Sequence, residues 1–292
     1  MCLVANPSNL IDFKSLARTL TLVENSLDGG EAILKNLPQA SNTPIIGITG
    51  PPGAGKSTLV NCLVNKLSLQ NKQIAILAID PTSPFNMGSL LGDRIRMAEQ
   101  FNKPNVYIRS LATRGSLGGL SAKTIEMVDV LKSAGFDYII IETVGVGQSE
   151  VEIAGIADIA IVVLVPEAGD EIQSIKSGLM EIANIFVINK ADRAGGDTFA
   201  NTIYKLVHQK HVHIPVIKTI AEKAIGIDEL LEAIHQQPYA ENQRKLFLLA
   251  EKAWKLIQCK RMNNVDKQTL QQQIAAASKK PDFNLYQFIE QF

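Results

Sequence analysis

The chain has 292 residues, enough for one large domain or two smaller ones and for a core that needs no disulfide or metal staple. Lysine plus arginine and aspartate plus glutamate both number 29, so the formal net charge is zero. With no run of five or more like charges, this balance speaks against bulk binding of nucleic acid or an anionic membrane surface, but it leaves room for one small anion held locally.

The longest purely apolar run, residues 159–165, is far shorter than the roughly 18 residues of a spanning helix. Residues 1–7 lack the basic-then-apolar pattern of a signal peptide. No nucleic-acid and no membrane partner is therefore expected. Cys2, Cys62 and Cys259 are far apart and odd in number, which fits free thiols in a reducing compartment, so a cytoplasmic protein is expected.

In chain order, Leu16, Leu20, Val23 and Leu27 recur at helical spacing and predict a helix over 15–27, stopped by Asp28-Gly29-Gly30. A second short helix runs to Leu37-Pro38, and residues 40–44 read as a linker. From Ile45 the pattern becomes β-rich. Strands are predicted at 45–49, 74–80, 106–109, 138–142, 159–165, 185–189 and 216–219, several of them apolar on both faces. Helices are predicted between most of them, at 58–70, 121–134, 170–183, 198–209 and 227–236. This alternation predicts an α/β fold, a P-loop NTPase G domain with a doubly wound, mostly parallel sheet. Residues 241–259, 267–278 and 284–291 read as helices. The expected division is an N-terminal helical extension (1–40), a nucleotide domain (41–240) and a C-terminal helical arm (241–292).

The strongest motif is Gly50-Pro51-Pro52-Gly53-Ala54-Gly55-Lys56-Ser57, followed by Thr58. It fits G-x-x-x-x-G-K-[ST] between a predicted strand and a predicted helix. Gly53 and Gly55 let backbone N–H groups turn inward around a β-phosphate without Cβ clashes. Lys56 is a point charge for the β and γ oxygens, Ser57 offers a hydroxyl to Mg²⁺, and the helix adds its positive end.

Asn189-Lys190-Ala191-Asp192 follows an apolar strand and matches N-K-x-D of guanine-nucleotide proteins. A carboxylate at Asp192 can accept from guanine N1–H and its exocyclic amino group, a donor pair adenine lacks. Lys190 can lay its stem over the base. GTP or GDP, with Mg²⁺, is the expected ligand.

Asp80, Asp93 and Glu142 are the acidic positions that can meet the Mg²⁺ side of such a site, and each alone also suits a cap or a turn. Glu142-Thr143-Val144-Gly145 stands where most GTPases have D-x-x-G, with a longer carboxylate. Lys56, Asp93 and Glu142 are the expected catalytic side chains. Val146 occupies the position of the water-orienting glutamine of small signalling GTPases, so slow intrinsic hydrolysis is expected. Arg109 and Arg114 are read as surface or partner-contacting side chains, with a cis arginine finger as the alternative. Trp254 is read as a packing residue, and His208, His211 and His213 as a solvated helix end rather than a metal site.

The stretches 47–59, 78–97, 114–120, 142–150, 169–184 and 189–192 closely resemble the methylmalonyl-CoA mutase-associated GTPase chaperones, a family also labelled arginine/ornithine (LAO/AO) transport ATPases or kinases. The run Glu142-Thr143-Val144-Gly145-Val146-Gly147-Gln148-Ser149-Glu150 is the most specific, since generic GTPases lack it. The resemblance implies a GTPase that gates cofactor loading of an adenosylcobalamin-dependent acyl-CoA mutase and protects it. It implies that Ser57, Asp80, Asp93 and Glu142 surround Mg²⁺, and that 167–176 is a further switch contacting the mutase. It also implies that the C-terminal helices form the arm of a homodimer. The guanine-supporting loop Ile220-Ala221-Glu222 departs from the family by carrying Ile220 where serine is usual, and because that loop contacts the base mainly by backbone little loss is expected. Rival readings are a metal-insertion GTPase and an ATPase or kinase linked to amino-acid transport.

Overall fold

Each β-rich run carries apolar residues on both alternating faces, and such strands are stable only when helices cover both sides of the sheet. The computed structural model describes residues 11–38, 42–80, 98–112, 122–143, 153, 155–167, 182–208, 214–237, 250, 253–254, 256–258, 260–262, 264–279 and 283–292. Among these, seven parallel strands form one sheet: β1 (Ile45–Thr49), β2 (Ile74–Asp80), β3 (Val106–Ala112), β4 (Tyr138–Thr143), β5 (Ile159–Leu164), β6 (Ile185–Ile188) and β7 (Val216–Lys218). Their order is β3-β2-β4-β1-β5-β6-β7, which puts β1 at the centre.

The two faces separate cleanly by parity. Ile46, Ile48, Ile74, Ile76 and Ile140 pack with Leu59, Leu63 and Leu67 of α3 (Lys56–Leu69). Their neighbours Ile45, Ala75, Leu77, Ile139 and Ile141 face the opposite way. There they meet Leu16 and Leu20 of α1 (Phe13–Glu24) and Met127 and Leu131 of α4 (Ala122–Ser133). Beyond β5, Val162, Leu164, Phe186 and Ile188 pack with Phe199 and Ile203 of α5 (Gly196–His208). The helix α6 (Ile227–Gln236) contributes Leu230 and Ile234 to the α3 side.

The N-terminal helix starts and stops earlier than its apolar spacing predicts. Asp12 caps it by accepting from the backbone N–H of Lys14 and Ser15, so helix begins at Phe13. Ser26 takes φ +50° and the N–H of Leu27 returns to the carbonyl of Leu22, which ends the helix at Glu24. A short helix, α2 (Gly30–Lys35), follows.

Arg109 corrects its sequence reading. It is neither a surface side chain nor a finger: its guanidinium lies 2.5 Å from Glu24, largely buried, and donates to the Ala17 carbonyl and Thr21 Oγ1. Burial works against its charge, but the hydrogen bonds and charge of Glu24 and Tyr107 outweigh that and hold its pKa above the ordinary value. The edge strand β3 is thereby tied to α1.

The chain divides into two compact units, Met1–Asn242 and Gln243–Phe292. The second contains α7 (Lys267–Ala277), capped by Asp266, and α8 (Leu285–Ile289), capped by Asn284; neither helix buries a residue. Trp254 is 61% exposed, which overturns its reading as a packing residue. No helix among the described residues is long and apolar enough to cross a membrane.

Candidate functional site

Loops leave the carboxyl ends of the adjacent strands β1, β5 and β6, and β4 ends beside β1 on the same edge, where open α/β sheets hold ligands. β1 ends at Thr49, and residues 50–55 turn directly into α3. Gly50 has φ +142°, and a Cβ there would stand 2.1 Å from the Val163 carbonyl oxygen of β5. Gly55 has φ +84°, and its Cβ would meet Asn189 Nδ2 at 2.4 Å. Both positions demand glycine. Within the loop Pro51 and Ala54 are buried, while Pro52 and Gly53 are exposed.

Lys56 is buried, and its Nζ donates to the carbonyls of Gly50 (2.7 Å) and Pro51 (2.8 Å). The ammonium thus sits inside the turn. Ser57 and Thr58 form the first turn of α3, where the helix carries its partial positive charge.

Ser57 Oγ donates to Glu142 Oε1 at 2.6 Å. Glu142 is buried near the end of β4, in register with Ile48 of β1. One position further along, Thr143 Oγ1 donates to Thr49 Oγ1 at 3.0 Å, with both side chains buried. A serine hydroxyl beside a carboxylate at a helix N-terminus is the hard oxygen set that Mg²⁺ prefers, so these residues fit that ion. Asp80 closes β2 on the same sheet edge, one position beyond Ile79, which is in register with Thr143; its side chain lies outside the described residues. Asp93, Arg114, Val146, Gln148, His211 and His213 also lie outside them, as does the predicted helix 170–183 apart from its last two residues.

The other side of the loop is held by Asn189. Its buried amide donates from Nδ2 to the Ala54 carbonyl at 2.8 Å. Its Oδ1 accepts from Thr219 Oγ1 and from the Ala221 N–H, both at 3.1 Å. One side chain therefore joins the loop after β1, the loop after β6 and the loop after β7. Lys190, at φ +56°, donates from Nζ to the Gly53 carbonyl at 2.8 Å. The Asp192 carboxylate accepts from Lys223 Nζ at 3.1 Å, and this hydrogen bond pulls its pKa below the usual aspartate value. Ile220 exchanges backbone hydrogen bonds with Ile225, closing a tight turn around Ala221 and Glu222. Just outside, Glu167 after β5 pairs with Arg193 at 2.5 Å, and that hydrogen bond lowers the Glu167 pKa.

A family model described as "Methylmalonyl Co-A mutase-associated GTPase MeaB" matches residues 16–278. The chain belongs to this family. The MeaB-family chain is 46% identical over 244 residues to a GTPase of Pyrococcus horikoshii, covering 80% of this chain and 77% of that one. It is 38% identical over 236 residues to GTPase ArgK of Escherichia coli K12, covering 75% and 70%. It is 39% identical over 199 residues to the mouse mitochondrial methylmalonic aciduria type A homolog, covering 65% of this chain and 48% of the mouse protein. Among solved structures, it resembles an LAO/AO transport system kinase with a TM-score of 0.66 and 26% identity, covering 96% and 92%. The protein is a MeaB-family GTPase with a P-loop NTPase-like α/β fold, and GTP or GDP is the nucleotide the family implies.

In this GTPase the fold brings together residues 50–58, Glu142, Asn189, Lys190, Asp192 and 220–222 around one sheet edge. The sequence reading missed the Thr49–Thr143 bridge and the Lys223 partner of Asp192. Neither had a signal in spacing, because each pairs residues from strands or loops distant in the chain.

Proposed function

We propose that this GTPase acts as a chaperone for an adenosylcobalamin-dependent acyl-CoA mutase of the methylmalonyl-CoA mutase type, gating cofactor loading and protecting the mutase. The observation that carries the reading is membership, over residues 16–278, of a family described as mutase-associated. The name of the mouse relative, a methylmalonic aciduria type A homolog, points to the same metabolism.

In this reading residues 50–58 cradle the nucleotide phosphates, with Lys56 countering the charge on the β and γ oxygens. Asn189, Lys190, Asp192, Ile220, Ala221 and Glu222 hold the guanine. Ser57, Asp80, Asp93 and Glu142 hold Mg²⁺, which supplies charge neutralisation on the phosphates. Lys56, Asp93 and Glu142 are the catalytic side chains. The Ser57–Glu142 contact supports this assignment, since it sets two of the proposed oxygens side by side. Residues 167–176 form a switch toward the mutase, and 241–292 the arm of a homodimer.

Affinity capture from the native organism, with GDP and with a non-hydrolysable GTP analogue, tests the chaperone role. Co-purification of a cobalamin mutase that speeds GTP turnover is expected; no effect from any cobalamin mutase of that organism overturns it. The transport-kinase reading, suggested by the name of the solved relative, predicts ATP binding as tight as GDP binding. An ionised Asp192 beside the nucleotide loop favours guanine instead.

A further inference from the structure

The loop after β7 is held from two sides, and only one of them belongs to the N-K-x-D motif. Asn189 Oδ1 accepts the Ala221 N–H at 3.1 Å. On the far side of the same residue, Cys62 Sγ donates to the Ala221 carbonyl at 3.0 Å, an oxygen that also accepts the Ala224 N–H at 3.1 Å. Cys62 lies on α3, between the buried Leu59 and Leu63, and packs against the core cluster that contains Ala221. The helix that begins at the phosphate loop therefore reaches the guanine loop directly, through a thiol.

We propose that Cys62 is a positioning residue for guanine recognition: by holding the Ala221 carbonyl, its thiol fixes the Ala221–Glu222 peptide and with it the Glu222 N–H, which this proposal sets toward the 6-oxo edge of the base, the Ile220 and Ala221 N–H groups being taken by Ile225 and Asn189. Three features support this. Ala221 is buried, so its carbonyl needs partners within the protein. Burial pushes the Cys62 thiol up from its ordinary pKa, which keeps the proton on sulfur at neutral pH and the donor in place. Ile220, whose side chain offers no hydroxyl, is held through its backbone to Ile225 and Lys223, so an anchor from the helix has more to do.

The proposal rests on guanine lying at Asn189–Asp192 and 220–222, as argued above. The test is a set of affinities measured with the full chain for GDP, IDP and 2-aminopurine riboside 5′-diphosphate. The first two carry a 6-oxo group and the third does not. Cys62→Ala removes the donor and should weaken GDP and IDP by about three- to tenfold, the range of one neutral hydrogen bond, while leaving the third ligand unchanged. Cys62→Ser restores a donor and should return GDP affinity close to that of the parent chain. An unchanged GDP affinity in Cys62→Ala, or an equal loss for all three ligands, overturns the proposal, the second because it marks a merely structural role.

Should Cys62→Ala not fold, iodoacetamide labelling of the parent chain is read at the Cys62 peptide. GDP should slow it more than the 6-deoxo analogue does, and equal rates overturn the proposal. Asp192→Ala separates the two levels of the argument. If it leaves GDP affinity intact, the guanine placement itself fails; if it weakens GDP while Cys62→Ala does not, only the role of Cys62 fails.

Discussion

The described residues of the two compact units treat apolar side chains in opposite ways. In the first, Leu16, Leu59, Ile76, Phe186 and their neighbours are sealed between the sheet and its covering helices. In the second, α7 and α8 bury nothing, and Trp254, Ile257, Met262, Leu285, Tyr286, Ile289 and Phe292 are all exposed. Phe288 forms tilted ring pairs with Phe283 and Phe292, with centroids 6.0 and 5.7 Å apart. A parallel sheet closes its own core because every strand has two apolar faces and two helical layers to cover them. Short amphipathic helices without a sheet have no such closure and leave apolar surface for a partner. The proposal of a dimerising arm draws on this contrast.

The contrast can be broken by mutation. Phe186→Ala in the first core should cost about 3–5 kcal/mol in chemical denaturation, whereas Trp254→Ala should change folding stability by no more than about 0.5 kcal/mol. Similar losses for both would erase the distinction.

Within the first unit, Asn189→Ala removes the amide that joins three loops. GDP affinity measured by calorimetry should fall by about 1–3 kcal/mol, because the Ala54 carbonyl and Ala221 N–H lose a partner in a buried place. A change confined to stability, with GDP affinity intact, would mean that the loops hold their positions without it.

Gly50→Ala places a Cβ against the Val163 carbonyl at a positive φ. It should destabilise the chain by more than about 1 kcal/mol and lower GTP turnover, whereas a neutral substitution would show the turn to be more pliant than its geometry.

The smallest expected effect is electrostatic. Lys223 holds the Asp192 pKa below the ordinary value of about 3.9. The contribution of this depressed carboxylate is fully present above the unfolded value and is lost as pH falls through the lower folded one. GDP affinity should therefore stay level as pH falls toward the ordinary value, and Lys223→Ala should move the decline to higher pH. An identical pH profile for parent and variant would remove Lys223 from the guanine side.

How far these features were legible in the chain depends on the range of the interactions that make them. The strands at 45–49, 74–80, 138–143 and 159–164 were readable because alternation in a doubly covered sheet is a local pattern. The strand–turn–helix that carries Lys56 and Ser57 was readable because its motif occupies eight consecutive residues. The ends of α1 were misread because Asp12 acts through its capping carboxylate and Ser26 through a left-handed backbone conformation, neither of which shows in hydrophobic spacing. Arg109 was misread because its partner, Glu24, is 85 residues away. Trp254 was misread because its size argues for burial, while none of the described residues of its unit is buried.

The sequence by itself therefore determined the α/β class, the strand–turn–helix around residues 50–57 and the family. Each is written in residues adjacent along the chain or repeating at a fixed period. Only the tertiary structure decided that Asn189 spans three loops, that Thr49 and Thr143 share a buried hydroxyl bridge, and that Cys62 reaches the Ala221 carbonyl. Those contacts join residues between 30 and 159 positions apart, and only the strand order and register of the folded sheet bring them within hydrogen-bond distance.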